Sequence, residues 1–443
     1  FSTPMPASPI LSGLVGSEMC IRDRFIWGFI TASILLVVAV VVSYFYKLGP
    51  LDLVTEDKLN PVSQDVSTKQ KEIIKKVIVR DPLPEKHVNY KRIDTARLWS
   101  GVESNTQIEF KQGKEASFER KQPGSYIFDF NVKLNSPKPV SDLKGLSNVN
   151  PLIVNIVPDL SDLLVASKVS GFYYKLYEIK AKRVQQYLTR LNAIPDKHNF
   201  YDCETILEMK HPRSGRKVLF VQSDMDVVSD GSDGDRMPEY DKYIAESTNY
   251  QPFTSYGWRK KTSTPNPLLK RWENKLSDEK KNLANTTRSS QKAAIEQNIS
   301  KLKREIVDMK ARSFLIARAD PFIVIPSWMR SYKEQNEYAP SVGDYVAVIH
   351  KGGVYPAIIG DTGPTWKIGE ASLRLAKTLN PKATSYSRPV SDLKVSYLIF
   401  PGTASKPDAP NLKEWGMKIK GFLNEIGGLG EGYSLHNWES YFQ

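Results

Sequence analysis

Asp361 and Glu370 stand nine residues apart, each next to a glycine (Gly360 and Gly369), with Trp366 between them. Two carboxyl groups are what cleavage of a glycosidic bond requires: one protonates the leaving oxygen, and the other activates water or attacks. Glycines let a ligand come close to the backbone, and an indole offers a flat face to a sugar ring. The same residues also have a plain structural reading, as a Gly-Asp turn and a glutamate favoured by a helix dipole. A second acidic stretch, Ser223–Asp235, contains Asp224 and Asp226, and Gln222–Glu246 holds eight acids against two bases. Such a stretch can bind a cationic sugar, hold a hard cation through oxygen ligands, or cap its own turn. Its spacing is not that of a calcium-binding helix–loop–helix.

The elements around the pair follow from period and turn chemistry. Asp344–His350 and Val354–Ile359 are β-rich runs joined through Lys351-Gly352-Gly353, a hairpin signal. This places Asp361 just past the tip of the second strand. Thr362–Trp366 reads as a loop, and Gly369–Ser372 as the opening of a helix with Leu373, Ala376 and Leu379 on one face. Tyr201–Lys210 and Lys217–Gln222 form another strand pair, whose continuation is the acidic loop. Phe172–Leu191 is an amphipathic helix, Arg318–Met329 a strand region, Val395–Phe400 a late core strand and Asn411–Ile426 a helix.

The segment Gly360-Asp361-Thr362-Gly363-Pro364 and the following Gly369-Glu370-Ala371-Ser372 resemble the active-site segment of glycoside hydrolase family 75, the fungal-type chitosanases. Further resemblances occur in the same order. They are His198-Asn199-Phe200-Tyr201-Asp202-Cys203, Ser223-Asp224-Met225-Asp226, Asp320–Pro326 and Val395–Gly402, so the likeness spans roughly Leu98 to Gly402. It implies that Asp361 and Glu370 are the catalytic pair. Asp361 is expected as general base and Glu370 as general acid if burial against Trp366 outweighs the helix dipole at Glu370, and the roles swap if it does not. It also implies inversion, with the carboxyls roughly 6.5–9.5 Å apart, and an endo-acting attack on β-1,4-linked glucosamine polymers. Asp224, Asp226 and Trp366 are then the expected substrate-binding residues. The competing expectation is a catalytically silent glycan-binding or scaffold protein.

The remainder of the chain gives the organisation. Residues 1–24 have neither helical nor strand period, and Met19–Arg24 looks like translated library adapter, so they are set aside. Phe25–Tyr46 is 22 residues without a charge, about 33 Å as a helix, enough to cross a bilayer core. A membrane anchor is therefore expected, with residues 47–95 as a polar linker, containing a possible short helix at Gln70–Val79, and an extracytoplasmic catalytic domain at 96–405. Alternating runs such as Thr106–Phe110 and Tyr126–Leu134 belong to an antiparallel sheet. Within 265–312, Leu269, Trp272, Leu276 and Leu283 form one stripe, and Ile295, Ile299, Leu302, Ile306 and Met309 another. Two heptad seams around a polar break make an inserted antiparallel coiled-coil hairpin. Residues 406–443 are a C-terminal helix and an aromatic tail. The fold class expected is α+β, with a β-rich mixed or barrel-like core and peripheral helices.

Charge and cysteine usage narrow the class. Of the net charge of +13, Arg259–Arg312 supplies most, with 15 bases against 6 acids. The hairpin thus concentrates the positive charge, and no base-reading motif accompanies it, so nucleic acid is not an expected partner. There is no phosphate-cradling loop or dinucleotide fingerprint and no zinc-spaced pair among the five histidines. No metal or cofactor is expected. Cys20 and Cys203 are the only cysteines, so no disulfide is assumed. Pro139–Lys144 and Pro389–Lys394 carry the same hexapeptide, PVSDLK, which nothing in the sequence accounts for.

Overall fold

In the computed structural model of the chain, the residues described are 82–86, 104–105, 131–132, 137–189, 197–237, 239 and 247–442. The expected unpatterned start, membrane segment and nearly all of the linker, including the Gln70–Val79 helix, lie outside them. Chain contacts divide the molecule into Phe1–Pro82 and Leu83–Gln443, and the described elements belong to the second unit. Among the described residues no helix is long and apolar enough to cross a membrane.

Two short strands, β1 (Ser104–Asn105) and β2 (Asn131–Val132), pair antiparallel. The apolar stretch after them forms three short helices, α1 (Leu143–Val149), α2 (Ile153–Ile156) and α3 (Leu160–Val165). Strand β3 (Lys168–Val169) leads into α4 (Gly171–Thr189), the expected amphipathic helix, and the single turn α5 (Lys197–Phe200) precedes the paired strands β4 (Cys203–Lys210) and β5 (Lys217–Val228). Cys203 is a buried, free core thiol.

Strands β6 (Gly257–Arg259) and β7 (Arg312–Phe314) form a two-stranded ribbon, and between them the chain leaves and returns through α6 (Leu269–Asn285) and α7 (Ser289–Ala311). Cross-links from Trp272 Nε1 to Glu305 at 2.9 Å, Lys310 to Glu273 at 3.1 Å and Asn298 to Glu279 at 2.6 Å run in opposite order on the two helices, so the pair is antiparallel. Trp272, Ile299, Leu302, Ile306 and Met309 are buried, and Leu276 packs against them, so the two apolar stripes face inward.

The core is a mixed α+β arrangement in which six strands close on themselves. These are β5, β11 (Glu370–Ser372), β8 (Phe322–Pro326), β10 (Gly353–Gly363), β9 (Tyr345–His350) and β12 (Val390–Ile399), which returns to β5. Strands β4 and β3 continue outward from β5. The uninterrupted apolar run of β9 reflects burial on both faces of the sheet. Val346 and Val348 pack with α4 and with α8 (Leu373–Leu379), whereas Tyr345, Ala347 and Ile349 pack with α1–α3 and α9 (Leu412–Glu425). The β9–β10 connection is tight: His350 pairs with Gly353, and Lys351 turns the corner at φ +51°. The tail closes over β10, where Trp438 Nε1 donates to Pro356 O at 2.7 Å and His436 N to Val354 O at 2.7 Å.

Two expectations are corrected. The stretch from Ser223 is not an acidic loop, because β5 runs on to Val228: Ser223 and Met225 pair with β12, and Asp226–Val228 pair with β11. Asp224 and Asp226 are therefore strand residues. Nor does Gly369–Ser372 open a helix. Glu370–Ser372 is a strand lying parallel to β5 and antiparallel to β8, and the helix begins at Leu373, capped by the Ser372 hydroxyl. Backbone pairing on both sides satisfies more donors and acceptors than a lengthened first turn, whose N–H groups have no partner inside the helix.

Candidate active site

The sheet register brings the two carboxylates together. Asp361 of β10 pairs with Val324 of β8, Val324 with Glu370 of β11, and Glu370 with Asp226 of β5. Residues directly opposite on neighbouring strands point to the same face, so Asp361, Val324, Glu370 and Asp226 form one row. A register shift between Ile359 and Asp361 on β10 sets this alignment: the bulge at Gly360 re-aims Asp361 onto the face of Val324. Asp361 thus lies inside a strand rather than beyond its tip.

Glu370 leans across β8 towards β10. A Cβ placed on Gly363 would lie 2.7 Å from Glu370 Oε2, so the missing side chain leaves the space that the carboxylate uses. Gly363 and Asp361 share a face two residues apart, about 6.7 Å of strand. Glu370 Oε2 therefore reaches β10 about one strand repeat beyond Asp361, on the face that Asp361 shares.

Their environments differ. Asp361 Oδ1 accepts from Ser255 N at 2.8 Å, Ser255 Oγ at 2.6 Å and Thr362 N at 2.7 Å, whereas Oδ2 takes no hydrogen bond among the described residues. Burial, opposed by those donors, pushes its carboxyl from 3.8 up to about 6. Glu370 instead has a cation. Lys367 Nζ lies 2.9 Å from Glu370 Oε1 and 2.6 Å from Asp226 Oδ2, and Arg388 Nε lies 3.3 Å from Asp226 Oδ1. The two carboxylates push the Lys367 ammonium up against its own burial, so it stays charged. Asp226, expected to bind substrate, is thus already held by two cations.

Asp224 is buried, and the backbone around it ties the floor of the site together: Tyr397 Oη donates to its carbonyl at 3.0 Å, and its N–H donates to Asp202 O. The Arg183 guanidinium of α4 lies 4.2 Å from the centre of the Trp366 ring, and Lys180 Nζ lies 5.8 Å from it. One face of the indole is therefore occupied by cations. Lys180 is itself buried, 2.8 Å from Asp202 Oδ2, and burial pushes the Asp202 carboxyl up to about 7. This network holds the loop that delivers Glu370.

Gly369 sits between that network and Glu370 at φ +85°, where a Cβ would lie 2.4 Å from Asp224 O. Both the left-handed backbone and the contact exclude a side chain. Gly369→Ala is expected to lower stability by roughly 2–4 kcal/mol and to displace Glu370. Denaturant unfolding measures the first effect, and loss of turnover in the chain that remains folded measures the second.

Sequence reasoning missed three site residues. Lys367 carried a faint signal, three positions before Glu370. Ser255 carried none, being 106 positions from its partner Asp361. Arg388 was equally silent. Asp230 lay inside the acidic stretch Ser223–Asp235 but was not singled out. Asp230 lies two residues past β5, half-buried, with Gln251 N donating to its Oδ1 at 2.9 Å. Burial pushes its carboxyl well up, and the Asp361 and Glu370 charges add to this.

Two facing carboxyls in unlike environments, on one face of a closed sheet, are the equipment of a glycoside hydrolase. Residues 225–433 match the model of the family described as fungal chitosanase of glycosyl hydrolase group 75. This region belongs to that family, and the protein is a glycoside hydrolase of chitosanase-like type. The match takes in Asp226, Asp361 and Glu370 and begins downstream of Asp202 and Asp224. No curated protein matches the chain.

Proposed function

We propose that this protein is an inverting, endo-acting hydrolase of β-1,4-linked, glucosamine-containing polysaccharide, with Asp361 and Glu370 as its catalytic pair. The observation that carries the reading is the row Asp361–Val324–Glu370, which puts both carboxyls on one face of the sheet with a single strand between them. Inversion, which the family resemblance implies, requires the carboxyls roughly 6.5–9.5 Å apart with a water molecule between them. The environments favour the swapped roles, the alternative that the sequence left open. Asp361, raised to about 6 and with Oδ2 open to carry a proton, suits the general acid. Glu370, ion-paired to Lys367, suits the base that activates water. The basic excess lies in the α6–α7 hairpin, so the net charge of +13 does not by itself set the charge that a cationic polymer meets at this face.

The test is release of reducing ends from chitosan and from other amino-sugar glycans, with the anomeric form of the first product read by NMR. The α-anomer is expected from wild type. Glu370→Gln is expected to lower turnover by about 10³-fold, within the span of general acid–base effects. A β-anomer as first product, or an unimpaired Glu370→Gln chain, overturns the mechanism.

The 22 uncharged residues Phe25–Tyr46 support a further part of the same proposal, a membrane anchor with the hydrolase domain outside the cytoplasm. Partition of the full chain into the membrane fraction, and its loss on deletion of 25–46, tests it.

A further inference from the structure

Four acids gather at the catalytic face, and three of them are engaged: Asp226 by Lys367 and Arg388, Glu370 by Lys367, and Asp361 by the three donors on its Oδ1. The fourth, Asp230, uses only Oδ1, for Gln251 N; among the described residues it meets no lysine, arginine or histidine. Its place is built. Gly231 next to it stands at φ +103° against the Leu315 carbonyl, where a Cβ would lie 1.6 Å from that oxygen. Ala317 N donates to Asp230 O, and Gly231 N donates to Gln251 O. The segment Gln251–Ser255 is then pinned at both ends by carboxyls of the site, Gln251 N on Asp230 and Ser255 on Asp361. Both acids therefore border one short segment, and Asp230 keeps an oxygen that takes no hydrogen bond among the described residues.

We propose that Asp230 reads the sugar's C2 substituent: its second oxygen receives the ammonium of a glucosamine unit bound against Asp361 and Glu370, and so selects glucosamine over N-acetylglucosamine. The inference rests on the hydrolase reading above and deepens it to a specificity. Chemistry supports the match, because an ammonium is a three-donor cation and, among the described residues, Asp230 has an unfilled acceptor and no counter-charge, whereas the open oxygen of Asp361 is the one that carries the catalytic proton. An acetamido group offers that oxygen one weaker, neutral donor and adds bulk. The raised affinity of the empty Asp230 carboxyl for protons adds a second readout, since an arriving ammonium drives ionisation and a proton must leave.

The experiment is the ratio of kcat/KM for glucosamine oligomers to that for N-acetylglucosamine oligomers, in the full chain and in Asp230→Asn. Asparagine keeps an oxygen for Gln251 N. The ratio is expected to fall roughly 10- to 100-fold, the worth of one charge-assisted hydrogen bond, chiefly through KM. An unchanged ratio overturns the proposal. In parallel, calorimetric titration of the Glu370→Gln chain with a glucosamine tetramer, in two buffers of different ionisation heat, is expected to show proton release that Asp230→Asn abolishes. A wild type that cuts neither oligomer overturns the hydrolase reading; the calorimetric arm then still decides Asp230, since binding that Asp230→Asn does not weaken overturns its role. If asparagine unfolds the chain, Asp230→Ser carries the same test.

Discussion

Asp361→Asn is expected to abolish turnover, by about 10³-fold or more, while making the folded protein more stable at neutral pH. The two effects share one cause. Burial raises the Asp361 carboxyl from 3.8 to about 6, so the folded state holds a proton more tightly than the unfolded chain does. Between those values the native state binds more protons than the unfolded one, and stability falls as pH rises. Above about pH 6 the full penalty is present, at most about 3 kcal/mol. Asparagine keeps the oxygen that accepts from Ser255 and Thr362 and removes the charge. Denaturant midpoints of wild type and variant should therefore coincide near pH 3.5 and separate above pH 6, with the inactive variant the more stable. Wild-type activity should decline above pH 6 as the acid loses its proton. A variant that is inactive but no more stable at pH 8 would show that the Asp361 charge is well solvated, and the assignment of Asp361 as acid would fall with it.

Lys367→Met is expected to cost about 3 kcal/mol of stability at neutral pH and at least 100-fold in turnover. Lys367 is the shared counter-ion of Asp226 and Glu370, at 2.6 and 2.9 Å, and its side chain is only 19% exposed. Methionine fills the same space but leaves two buried carboxylates facing each other. The loss sits at the lower end of the range for broken buried pairs, because Arg388 still reaches Asp226. Urea titrations at pH 7 measure this, and a loss below about 1 kcal/mol would mean that water screens the cluster. Lys367→Arg keeps the charge with a different shape, so recovery of stability without turnover would separate the counter-charge from the placement of Glu370.

How much of this was legible before the fold depends on how local each signal was. The β9–β10 hairpin declares itself through period and a glycine turn, because His350 and Gly353 are neighbours in both sequence and space. The two stripes of α6 and α7 predict their own burial for the same reason: a helix needs only its own repeat to define a face. Glu370 shares a face with Asp361 but stands in a strand where a helix start was expected. Its strand is three residues long, and its partners are Asp226, 144 positions earlier, and Val324. No window around Gly369-Glu370-Ala371-Ser372 contains them, whereas the helix that follows is written locally. Ser255 and Arg388 were invisible for the same reason, since each reaches the site through a long-range contact.

The hexapeptide PVSDLK shows the division most directly. At Pro139–Lys144 its aspartate, Asp142, caps α1 by accepting from Gly145 N. At Pro389–Lys394 the same letters enter β12, where Val390 pairs with Met225. Short-range chemistry therefore determined which residues can react, where turns and helix faces fall, and that two carboxyls and a run of glycines lie close together in the chain. Only the closed sheet decided which carboxyls share a face, which one is ion-paired and which is left dry. Those properties come from strand register and burial, which are set largely by partners tens to more than a hundred residues away.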